Sequence, residues 1–138
     1  MIFQDSLKSI LVVDDDLAIQ EILRTAFVNE GYKVQVAGTA DEALNILKHQ
    51  KIYIFFLDLK LPGMSGIELC KIIKDSNPVA YIYAITGYGE LFDLRKARAV
   101  GFDNYFLKPF HVRKLIDAVN SSTRDLERWH SILIKYKK

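Results

Sequence analysis

Five short apolar runs alternate along this chain with stretches whose apolar positions recur every three or four residues. Ile10-Leu11-Val12-Val13 has no polar break and predicts a strand buried on both faces, with Asp14-Asp15-Asp16 following directly. The spacing of Ile19, Ile22, Leu23, Ala26 and Phe27 predicts a helix with Asp16 as its N-cap and Gly31 as its stop. Lys33 to Ala37 predicts a second strand, and Thr39-Ala40-Asp41-Glu42 is a capping box for a helix that turns Ala43, Leu44 and Leu47 inward. The most apolar run, Ile52 to Leu57, ends at Asp58, and Pro62-Gly63 forbids the strand from continuing. A second capping box, Ser65-Gly66-Ile67-Glu68, opens a helix with Leu69, Ile72 and Ile73 on its inner face, closed by Asn77-Pro78. Val79 to Ile85 predicts a fourth strand that stops at Thr86-Gly87-Tyr88-Gly89. Glu90 to Val100 predicts a helix with a thin stripe, Leu91, Leu94 and Ala97, which should be the least firmly packed. Phe102 to Leu107 predicts a fifth strand leading into Lys108-Pro109-Phe110, and the last helix begins near Val112.

Strands that alternate with helices imply right-handed crossovers, so the expected fold class is α/β, one doubly wound five-stranded parallel sheet with helices on both faces. With 138 residues and 50% hydrophobic content the chain has material for one core, and no linker or repeat divides it. The formal net charge is +2, and bases gather only at Lys135-Tyr136-Lys137-Lys138, which argues against direct nucleic-acid binding. The single cysteine, Cys70, falls on a helix face and reads as a small buried hydrophobe. No run reaches membrane-spanning length, and the first residues lack the pattern of a signal peptide; a soluble cytoplasmic protein is the expectation.

In a parallel sheet every strand ends on the same edge, which brings together Asp14, Asp15, Asp58, Thr86 and Lys108 from four strands. Three neighbouring carboxylates repel one another unless a hard cation joins them, and oxygen ligands of this kind suit Mg²⁺ or Mn²⁺. Lys108 adds a fixed positive charge and Thr86 a hydroxyl donor, both suited to the equatorial oxygens of an incoming phosphoryl group. Taken singly, Asp16 is an ordinary acidic helix start and Lys108 a surface lysine before proline. It is the combination that points to phosphoryl transfer.

Ile10 to Asp16, Phe56 to Gly66, Ile85-Thr86-Gly87 and Lys108-Pro109-Phe110 resemble the receiver domain of two-component response regulators, of the CheY-like superfamily, over roughly the first 120 residues. The resemblance implies a flavodoxin-like sheet of order 2-1-3-4-5 with five helices. It implies Asp58 as phosphoacceptor and Mg²⁺ held by Asp15, Asp58 and the backbone carbonyl of Lys60, with Asp14 acting through metal-bound water. It further implies that Thr86 and Lys108 contact the new phosphoryl group, that Thr86 and Tyr105 form a switch, and that Lys60 and Tyr88 tune its hydrolysis. The implied partners are a sensor histidine kinase or phosphotransfer protein and a downstream protein target or effector domain. The implied role is a phosphoacceptor, not an enzyme turning over an independent substrate.

The expected division is a receiver domain over 1–122 and a helical extension or linker over 123–138. Leu115, Val119, Ser122, Leu126, Trp129, Leu133 and Tyr136 alternate at spacings of four and three, a heptad seam that extends the last helix. A homodimer through this helix, or through the face of the fourth helix, fifth strand and fifth helix, is one expectation; a linker from a module excised from a larger regulator or hybrid kinase with a separate effector domain is the other. Two other classes compete. A flavin or nucleotide binder would want a phosphate cradle where Asp14-Asp15-Asp16 stands, and an aspartyl hydrolase would want its second acid one residue away on the first strand. His49, His111 and His130 show no metal spacing.

Overall fold

The computed structural model describes residues 7–87 and 94–136. In chain order the elements are β1 (Ser9–Val13), α1 (Leu17–Asn29), β2 (Lys33–Ala37), α2 (Ala40–Leu47), β3 (Ile54–Asp58), α3 (Gly66–Ser76), β4 (Tyr81–Thr86), α4 (Leu94–Val100), β5 (Asn104–Leu107) and α5 (Val112–Tyr136). The strands pair in parallel in the order β2-β1-β3-β4-β5. This is the doubly wound parallel sheet that the alternating pattern implied, in the flavodoxin-like order that the resemblance to receiver domains implied.

Alternation along the central strands sorts the core into two layers. Leu11, Val13, Phe55, Leu57, Ile82 and Ala84 face one side with Ala43, Leu69, Ile73 and Ala97 from α2, α3 and α4. Ile10, Val12, Ile54, Phe56, Tyr83 and Ile85 face the other with Leu23 and Phe27 of α1 and Leu115 and Val119 of α5. Because β1 and β3 are covered on both sides, every residue in them is buried.

Local chemistry fixes the helix starts. Asp16 accepts from Ala18 and Ile19 as the N-cap of α1, and Ser65 with Glu68 forms the full capping box of α3. Thr39 caps α2, but Glu42 turns its carboxylate to the Gly38 N–H at 2.6 Å, so that box is only half formed. Two positions depart from the helical spacing. Ile22 and Ile72 are 48% and 39% exposed, because Leu23 with Phe27, and Leu69 with Cys70 and Ile73, already fill the inner faces. The third, fourth and fifth strands each begin two residues later than expected, and Val79 is exposed. Residues 90–93 of the expected fourth helix lie outside the described residues. Among the described residues no helix is long and apolar enough to cross a membrane.

The seam of α5 divides. Leu115, Val119, Ser122 and Leu126 are buried against the chain's own sheet, while Trp129 and Leu133 stand exposed. Ser122 interrupts the apolar seam because it hydrogen-bonds the Tyr83 hydroxyl. Tyr32 donates to Asn120 at 2.9 Å and meets Thr123 at 2.8 Å, and Tyr81 donates to Asp125 at 3.3 Å. Three tyrosines thus tie the polar positions of α5 to the domain. The helix runs unbroken through 123, with Thr123 and Leu126 buried.

Candidate functional site at the carboxyl edge of the sheet

The Asp14 N–H donates to Ala37 at 3.0 Å, so this residue prolongs the pairing of β1 with β2 just past the end of the strand. Its carbonyl receives the Gln20 side-chain amide at 2.7 Å, and its Oδ1 receives the Asp16 N–H at 2.9 Å. The carboxylate is therefore aimed by bonds on three sides. Asp58 closes β3, paired with Ile85, and its Oδ1 accepts from the Lys60 N–H at 3.1 Å. One carboxylate oxygen from each of Asp14, Asp15 and Asp58 lies within 4.8 Å of the others; Asp14 and Asp58 are buried and Asp15 is exposed.

Lys108 crosses from the end of β5 to these acids. Its Nζ lies 2.9 Å from Asp14 Oδ2 and 3.3 Å from Asp58 Oδ2, and its N–H donates to the Thr86 carbonyl at 2.7 Å. The Lys108–Pro109 peptide is cis. Thr86, fully buried, ends β4, and its hydroxyl donates to the Gly87 carbonyl at 3.2 Å. The structure thus brings together the side chains of Asp14, Asp15, Asp58 and Lys108, and ties Thr86 to Lys108 through the backbone. Tyr105 pairs in register with Ala84 and is 46% exposed, at the rim of a cavity of about 330 Å³ lined also by Arg95, Arg98 and Phe102. Tyr88 lies outside the described residues.

The electrostatics follow from burial. Burial raises the Asp58 carboxyl; the Lys60 N–H opposes it, Asp14 adds to it and Lys108 opposes it, leaving it at about 6. Burial alone would lower Lys108, but its close contact with Asp14 and the charges of Asp14 and Asp58 outweigh it and hold the ammonium above its ordinary range. Lys108 thus pairs with two of the three carboxylates, Asp14 and Asp58. Asp14 Oδ2 has this ion pair but no hydrogen bond of regular geometry, a buried anionic oxygen left for a further cation. A hard oxygen donor set with excess negative charge fits a divalent ion such as Mg²⁺.

Two positions carry more than their residue types suggested. A Cβ on Gly66 would lie far inside contact distance of the Asp58 carbonyl, so only glycine lets α3 start against the end of β3. Gln20, one helical turn into α1, braces the Asp14 carbonyl. Nothing in its spacing marked it, since a glutamine on a helix ordinarily faces solvent.

A doubly wound sheet with three acids, a buried threonine and a lysine at its switch-point edge defines an α/β protein of the receiver class. The family described as response regulator receiver domain matches residues 10–120, and the chain belongs to it. Over 112 residues it is 35% identical to the sporulation initiation phosphotransferase F of Bacillus subtilis, covering 81% of this chain and 90% of that one. It is 33% identical over 115 residues to the DNA-binding response regulator MtrA of Mycolicibacterium paratuberculosis, covering 83% of this chain but spanning only 51% of that relative. Among solved structures, a CheY-like receiver domain protein from Methanospirillum hungatei superposes with a TM-score of 0.82 at 32% identity, over 87% of this chain and 96% of that one. The receiver domain of NtrX from Brucella abortus superposes with 0.78 at 29% identity, over 83% and 98%.

Proposed function

We propose that this chain is a phosphoacceptor in two-component signalling, taking a phosphoryl group onto Asp58 from a phosphohistidine on a sensor kinase or phosphotransfer protein. The observation that supports this most is the buried Asp58 carboxylate held beside Asp14 and Asp15 with Lys108 reaching over it. A carboxylate oxygen of Asp58 attacks phosphorus; the new oxygen–phosphorus bond forms as the phosphorus–nitrogen bond breaks, and the imidazole leaves with its electron pair. No general base is required of this chain, because the nucleophile carries no proton once ionised. Asp15, Asp58 and the Lys60 carbonyl would hold Mg²⁺, with Asp14 acting through water, and the ion would supply charge neutralisation to the transferring oxygens. Lys108 leaves its bridge between Asp14 and Asp58 to pair with the phosphoryl group.

The acyl phosphate places about −2 charge beside Thr86. Thr86 exchanges its bond to Gly87 for a phosphoryl oxygen, and Tyr105 turns from the surface into the neighbouring cavity, reshaping α4, β5 and α5 for a protein target. Lys60 and Tyr88 tune the loss of the phosphoryl group, and Tyr88 slows it; Tyr88→Ala should shorten the phosphoryl half-life, and an unchanged half-life would contradict this. The setting is the cytoplasm, where the kinase donor is exposed. The chain promotes its own phosphorylation and dephosphorylation without turning over a separate substrate.

Incubation with radiolabelled acetyl phosphate and Mg²⁺ tests the reading. One phosphoryl group per chain, absent from Asp58→Asn, supports it; continuous release of phosphate that persists in Asp58→Asn overturns it in favour of a hydrolase.

A further inference from the structure

Beyond Leu126 the face of α5 that packs on the sheet continues as an exposed apolar stripe, with Trp129 62%, Ile132 39% and Leu133 59% exposed. Trp129 stands between two hollows. One, of about 480 Å³, is lined by Tyr53, Pro78, Val79, His130 and Leu133; the other, of about 260 Å³, by Tyr81, Asp125, Arg128 and Ile132. Both lie toward the amino ends of β3 and β4, the edge opposite the acids, so a partner seated there leaves the phosphoryl site open. A few helical turns with an uncovered apolar face are marginal in water, and packing is what ordinarily holds them.

We propose that the occupant is a second copy of this chain, the two α5 extensions lying antiparallel with Trp129 of each against Leu133 of the other. The stripe is self-complementary under reversal. Positions 129 and 133 stand symmetrically about 131, so one twofold axis makes both contacts, as an isologous dimer requires. The charges favour the same direction. Lys135 would stand level with its own copy in a parallel pair, whereas reversal about 131 brings it level with residue 127, two residues from Asp125 on the same flank of the stripe and within the reach of a lysine side chain. The returning end of the second helix then runs over the hollow beside Pro78 and the exposed Val79.

Sedimentation equilibrium of the full chain from roughly 1 to 200 µM, the range where a modest helical interface associates, should show the mass rising from one 15.8 kDa chain toward two. Emission from Trp129, the only tryptophan, should shift to the blue over the same range. Leu133→Glu should abolish both changes and leave Mg²⁺ binding intact. Asp125→Lys and Lys135→Glu should each weaken association by roughly two- to fivefold, and the double variant should recover it. In the dimer Ile132→Cys should cross-link with a short bis-maleimide, because reversal brings the two flanks that carry 132 together beside the axis at 131, whereas a parallel pair sets them on opposite sides of the seam; buried Cys70, its thiol pushed up to about 12, stays out of the reaction. A chain that is monomeric throughout overturns the proposal. So does a dimer that survives Leu133→Glu, or one with no cross-link at 132.

Discussion

The two halves of the sheet are built to different tolerances. In β1 and β3 every residue is buried, and the acids they carry are aimed by backbone bonds: Asp14 by Ala37 and Asp16, Asp58 by Lys60 and by the close approach of Gly66. At the other end, β5 has its first two residues exposed and its last two half-buried, and a cavity of about 330 Å³ separates it from α4. The difference assigns tasks. On the proposed function, charge would be received where the packing is complete, and a shape change would be drawn from where it is not. Lys108 joins the halves, since its backbone belongs to the β5 side and its ammonium to the acids.

The sharpest way to break this division is to disturb the fixed half. Gly66→Ala forces its methyl group against the Asp58 carbonyl, and we expect phosphorylation by acetyl phosphate to fall roughly 100-fold, with a stability loss of about 2–4 kcal/mol in urea unfolding. Full-rate labelling of a normally stable variant would show that Asp58 needs no such support. Next in size is the link between halves. Lys108→Ala leaves the buried Asp14 and Asp58 charges unpaired, costing about 3 kcal/mol without metal, and saturating Mg²⁺ should restore much of it. Equal destabilisation with and without Mg²⁺, read from thermal melts, would mean that the acids do not share an ion.

Acidity gives a graded test of the same half. With the Asp58 carboxyl at about 6, a proton and a cation compete for it below that pH. Proton uptake disfavours the ion, so the affinity for Mg²⁺ by calorimetry should fall as pH drops from 7 to 5, by about tenfold per unit below pH 6. A flat profile would take Asp58 out of the ligand set. The smallest effect belongs to the belt that ties α5 down. Tyr83→Phe leaves Ser122 with its bond to Ala118, and should cost about 1 kcal/mol without altering Mg²⁺ affinity. A lost metal site in that variant would show that α5 and the acids are not separable.

The same contrast explains what the chain alone disclosed. Runs such as Ile10 to Val13 and Phe55 to Leu57 are legible because burial on both faces leaves them no polar positions, and the acids after them stand out for that reason. The convergence of Asp14, Asp58, Thr86 and Lys108 followed from the parallel topology. Ile22 and Ile72 were misplaced because a helix of this width turns two adjacent residues inward per turn, and the apolar pattern does not say which third is surplus. Ser122 stands among apolar seam positions because it meets the Tyr83 hydroxyl, a contact 39 residues away in sequence that no local pattern records. Gln20 and Gly66 act through backbone carbonyls, which no side-chain pattern records.

The most direct test is anomalous diffraction from crystals of this chain grown with Mn²⁺. The account predicts a single strong peak between the carboxylates of Asp15 and Asp58, with the Lys60 carbonyl turned toward it. A map with the ion elsewhere, or with none while Lys108 still bridges Asp14 and Asp58, would contradict it.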